Sequence, residues 1–140
     1  MKPRRKITPL GVSLVVICAF LAIGVATFAG PCVHSDGSKA ACAEAGTLLL
    51  VIGVAAALTA LARFFVSSKT ASATLAAVVA ILGLVAAIVP GNMLPLCMMA
   101  EMRCNAIMHP FGMVLGGLAC IIAIIDLVIV TRSSRTGRSA

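Results

Sequence analysis

Apolar residues run along this chain in four long blocks and do not alternate with polar ones. The blocks cover residues 10–29, 47–66, 71–89 and 111–130. Each approaches the ~20 residues that a helix needs to cross ~30 Å of hydrocarbon. Lipid offers the backbone no hydrogen-bond partners, so a spanning segment closes its own bonds as a helix or joins a barrel. The two-residue alternation of a membrane barrel strand is missing. The pattern therefore predicts an all-α, polytopic membrane protein with four transmembrane helices in one bundle. Residues 1–9 and 131–140 are read as basic segments flanking a helical membrane domain over 10–130.

Composition agrees with a bilayer as solvent. Of 140 residues 61% are hydrophobic and 11% charged, too few charges to cover a soluble domain of this size. The chain has no Trp and no Tyr, so the usual aromatic belt at the membrane surface is missing. The net charge of +7 does not point to nucleic acid, because the basic residues flank the apolar blocks as topology signals do. Lys2, Arg4, Arg5 and Lys6 precede the first block, Arg63 and Lys69 lie around the second connection, and Arg132, Arg135 and Arg138 follow the fourth block. The other side carries Lys39 and Arg103 against Asp36, Glu44 and Glu101. The positive-inside rule then places both termini in the cytoplasm, with the loops at 30–46 and 90–110 facing outward. A secretory signal peptide is the competing reading of the basic start and the ATFAG stretch. The first apolar block exceeds the 7–15 residues typical of a signal core, which favours a retained helix.

Cysteine chemistry divides by place. Cys18 and Cys120 fall inside helices, where small apolar thiols act as packing residues. Cys32 and Cys42 lie in the first outer loop, Cys97 and Cys104 in the second. Loop cysteines on the oxidising side read as a disulfide framework, most simply Cys32–Cys42 and Cys97–Cys104, with the two cross-loop pairings left open. The halves share a plan of helix, Pro, cysteine, loop, cysteine and helix, so a parallel internal repeat is an open reading.

Within the apolar blocks two charges stand out. Arg63 and Asp126 fall at similar depth by count, and a charge in lipid is costly unless partnered, so an Arg63–Asp126 ion pair is expected. The alternative is that each snorkels to the interface alone. Gly112 and Gly116 form a GxxxG face on the fourth helix, fit for packing inside the bundle or against a partner's helix.

The stretch CMMAEMRCNAIMHP, residues 97–110, concentrates soft donors. Cys97, Met98, Met102, Cys104, Met108 and His109 are candidate Cu(I) ligands, with Met93 and Met99 nearby, because thioether and thiolate favour that ion. Oxidised cysteines would be lost to such a site. No Walker loop, catalytic triad or acidic pair is present, and no resident cofactor is expected.

The segments PCVHSDGSKAAC and LCMMAEMRCNAIMHP, with an Arg closing the second helix, resemble an uncharacterised family of small four-helix bacterial membrane proteins with cysteine-containing outer loops. Members often carry His after the second cysteine of a loop, where Ala43 and Asn105 stand here. The family is regarded as a neighbour of efflux-type ABC transporters. That implies a multi-pass protein of the cytoplasmic membrane and a non-enzymatic accessory role. Its partners would be the lipid bilayer and a larger membrane protein, such as an ABC transporter, or further copies of itself. The helix and loop-cysteine layout also resembles the DsbB-type membrane thiol–disulfide oxidoreductases, although no CxxC is present. Oxidoreductase and Cu(I) handling stay as the two alternative functions.

Overall fold

The computed structural model describes residues 8–29, 42–93 and 104–136. Four helices make up the fold: α1 Pro9–Thr27, α2 Cys42–Ala62, α3 Lys69–Ile88 and α4 His109–Thr136. All four are long and apolar enough to cross a membrane, and the described residues contain no strand. The protein is therefore an all-α bundle of membrane-spanning length.

Local chemistry sets the ends of the helices. Pro9 opens α1, where its missing N–H costs nothing. The Ser68 hydroxyl caps α3 by accepting the Ala71 N–H at 3.1 Å. Hydroxyls within the helices donate to their own backbone: Ser13 to Leu10, Thr27 to Ile23, Thr47 to Ala43, Thr59 to Ala55, Thr74 to Thr70 and Thr131 to Leu127. Such bonds satisfy a polar group that lipid would leave unpaired.

The helix limits differ from those that hydropathy suggests. The second block runs to Val66, but α2 stops at Ala62 and a tight turn follows. Phe64 and Phe65 N–H groups bond back to Leu61 and Ala62 at 3.0 Å. Arg63 thus sits just beyond α2 and not inside it. At the other extreme α4 continues to Thr136, well past the apolar limit near residue 130. At ~1.5 Å per residue its 28 residues span roughly 42 Å. Single π-helical turns, Val89–Met93 and Cys104–Met108, extend α3 and precede α4. They flank residues 94–103, which lie outside the described set.

The helices pack in the order α1–α2–α3–α4, with α4 returning to α1. The broadest contacts lie within the hairpins α1–α2 and α3–α4. Hydrocarbon gives helices no hydrophobic reason to associate, so close backbone approach carries the packing. A methyl group added at Gly116 would sit 2.7 Å from the Gly83 carbonyl oxygen and 2.8 Å from Ala87 N. One added at Gly53 would sit 3.2 Å from the Ala22 backbone. The core has two parts. Leu14, Cys18, Ala56, Ala60, Val79, Ala80, Ala119 and Ala123 fill the half nearest the chain termini. Leu21, Val25, Ala45, Leu49, Ile52, Ala86 and Met108 fill the loop half.

Gly116 and Gly117 are neighbours with opposite surroundings, since a methyl group at Gly117 meets nothing within 4 Å. Gly116→Val is expected to lower stability by roughly 1–3 kcal/mol through overpacking. Gly117→Val should stay within about 0.5 kcal/mol, as for an open surface site. Reversible unfolding in mixed micelles measures both, and equal effects would refute the close approach.

Candidate functional site

Charge is rare in this bundle, and where it is buried it is concentrated at one place. Asp126 is 3% exposed on α4 and is the buried charged residue among those described. Arg63, on the turn after α2, forms an ion pair with it from Nη1 to Oδ2. Both side chains are nearly sealed, at 9% and 4% exposure. Arg63 Nη2 also donates to Ser72 Oγ on α3 at 3.4 Å, a long contact. One guanidinium therefore ties the end of α2 to both α3 and α4. Phe64, the next residue, turns toward α1: its ring lies 3.3 Å from where a methyl group at Gly11 would be. The adjacent pair Arg63 and Phe64 thus reaches all of the other helices at the termini side.

This site is under-satisfied. Arg63 Nε is buried with no hydrogen-bond partner, and Nη1 and Asp126 Oδ2 have only their mutual charge contact. A guanidinium offers five N–H donors, so the arrangement leaves a buried group short of acceptors. Such a pair is held by charge in a low-dielectric setting and gains little from hydrogen bonding.

A second cluster occupies the loop side. The rings of Phe20, Phe28 and Phe111 meet, with centroids 5.2 Å apart for Phe28 and Phe111 and 5.8 Å for Phe20 and Phe111. Phe111 presses against Gly24, where any Cβ would run into its ring. These rings join α1 to α4.

Of the sequence candidates, the structure brings Arg63 and Asp126 together. Gly116 packs on the α3 backbone, while Gly112 lies near Leu49, Pro90 and Ala86. Met108 is wholly buried in the loop-side core, so its sulfur is enclosed by apolar neighbours. His109 is half-buried at the start of α4. Cys42 opens α2 and Cys104 opens the π turn before α4. Cys32, Cys97, Met98, Met99 and Met102 lie outside the described residues. Cys18 and Cys120 are free thiols. Among the described residues, no three His, Cys, Asp or Glu side chains gather as a metal group. Sequence reasoning missed Ser72, the Phe64–Gly11 contact and the phenylalanine cluster. Aromatic residues are scarce in this chain, and that scarcity is the signal that singles out Phe20, Phe28 and Phe111.

Residues 14–129 match the family model described as a domain of unknown function, DUF4418, and the chain belongs to that family. No curated protein and no solved structure matches it.

Breaking the ion pair on one side leaves a charge buried alone. Arg63→Met is expected to cost about 3–5 kcal/mol. The double variant Arg63→Met/Asp126→Leu should recover most of that loss, because no lone charge remains. A double-mutant cycle on unfolding in micelles measures the coupling, and additive costs would show that the pair contributes nothing.

Proposed function

We propose that this chain is a non-enzymatic accessory subunit of a larger assembly in a bacterial cytoplasmic membrane, with its termini in the cytoplasm. The observation that carries this reading is the closed apolar interior. Leu14, Cys18, Ala56, Val79, Ala119 and Ala123 are each 3% exposed or less along the bundle axis. Sites that bind or move polar substrates are built from convergent polar groups in a cavity or pathway. The buried charge of the described residues is instead confined to one pair at one end. Such a bundle serves better as a packed scaffold held in lipid than as a conduit.

The outer loops fit the same role. Disulfides Cys32–Cys42 and Cys97–Cys104 would close each loop on itself and fix the helix ends. Support comes from the backbone, which makes Cys42 the first residue of α2 and Cys104 the first of the π turn leading into α4. Closing a loop of this size stabilises by roughly 3 kcal/mol. The burial of Met108 weighs against the Cu(I) reading, since that ligand candidate is spent on packing.

Two measurements test the proposal. Peptide-resolved alkylation with a membrane-impermeant reagent should leave Cys32, Cys42, Cys97 and Cys104 unlabelled until strong reductant is added. Direct labelling of Cys97 and Cys104, or their release by mild reductant, would favour the thiol oxidoreductase instead. Native electrophoresis of membranes solubilised in mild detergent should show the chain in a larger complex of fixed stoichiometry. Migration as a lone monomer under conditions that preserve known complexes would sink the accessory role.

A further inference from the structure

The bundle is built as two hairpins, and their glycines meet different groups within a hairpin and across to the other one. Within α1–α2 Gly53 lies against the Cα, N and Cβ of Ala22, while Gly11 meets the Phe64 ring. Within α3–α4 the contact is backbone against backbone, between Gly83 and Gly116. Between the hairpins, the glycine contacts are made by side chains: the Phe111 ring at Gly24 and Leu49 Cδ2 at Gly112. Close-packed backbones are stiff, whereas side-chain contacts repack by changing rotamer. The contacts across the seam between hairpins are also narrower than those within each hairpin.

Each end of that seam has its own fastening. At the termini side Arg63, tied to the first hairpin through its neighbour Phe64 on Gly11, reaches across to Asp126 and Ser72 of the second. At the loop side Phe111 of the second hairpin seats in the Gly24 notch beside Phe20 and Phe28 of the first. We propose that these fastenings form a two-ended latch: the hairpins rock as rigid bodies, and the termini side opens by separating Arg63 from Asp126 and Ser72. The unpartnered Arg63 Nε supports this. A buried N–H without an acceptor gains one when water reaches it, which offsets part of the cost of opening.

Cys18 is a natural reporter. It is 1% exposed, in a core cluster made of Leu14, Ala56 and Ala60 from one hairpin and Val79, Ala119 and Ala123 from the other. Opening the termini side exposes its thiol. The test is the rate at which N-ethylmaleimide labels Cys18 in the full chain in lipid nanodiscs, read by peptide mass. Asp126→Asn should speed labelling at least tenfold. Ser72→Ala, which leaves the charges paired, should speed it several-fold and stands in if the first variant does not fold. Phe111→Ala loosens the opposite end and should slow Cys18 labelling below the wild-type rate. Unchanged labelling in the termini-side variants overturns the latch. Faster labelling in Phe111→Ala also overturns it, because the bundle is then merely loosened as a whole.

Discussion

Helices surrounded by lipid have no solvent pushing them together, so what holds this protein is how near two backbones can come. The approach of Gly83 and Gly116 is the constraint from which the rest follows. At this distance a carbonyl oxygen and an amide nitrogen stand where a side chain would otherwise be. That contact sets the register of α3 against α4. With the register set, Asp126 comes level with the start of α3, and the turn after α2 can deliver Arg63 to it. The glycine contact and the ion pair are thus compatible with one register of α3 against α4.

The rest of the interior is filled with small residues for the same reason. Alanines dominate the termini-side core and leave the larger side chains to point outward, as Val16, Leu58, Ile81 and Ile121 do. In water this distribution would be unstable, because the largest apolar groups would face solvent. In hydrocarbon it is the sensible one, since an isoleucine in lipid gives up nothing by staying outside. Hydroxyls on the helices bond inward to their own carbonyls, so the outer surface is almost without polar handles.

Much of the architecture is readable from the chain, because membrane span length is a blunt requirement that four apolar blocks meet plainly. The helix ends are less so. Hydropathy reports the bilayer, while a helix follows its own hydrogen bonds, which is why α4 runs on into Arg132 and beyond. Phe64 and Phe65 extend an apolar block without extending a helix, since hydropathy cannot tell a spanning residue from one in a turn. Charges are conspicuous in so apolar a sequence, so Arg63 and Asp126 attract notice at once. Ser72 does not, because nothing in its local sequence sets it apart from the other hydroxyls. Gly116 is visible as half of a GxxxG pattern, yet its partner is one of several small residues on α3 and only packing selects Gly83. The sulfur-rich stretch at residues 97–110 draws attention by composition alone. Of its described donors, Met108 serves the core and His109 is half-buried at the start of α4.

The position of Arg63 also bears on how the protein is made. A ribosome delivers α2 and the arginine that follows it well before α4. During that interval Asp126, the carboxylate it pairs with, has not yet been made. Lying just past a helix end, it is able to reach the headgroups and stay hydrated. Asp126 enjoys no such shelter, for it lies within an apolar stretch and α4 carries on beyond it. The acid is thus the late arrival that needs a cation already in place. The order of synthesis turns the first hairpin into a prepared dock for the last helix.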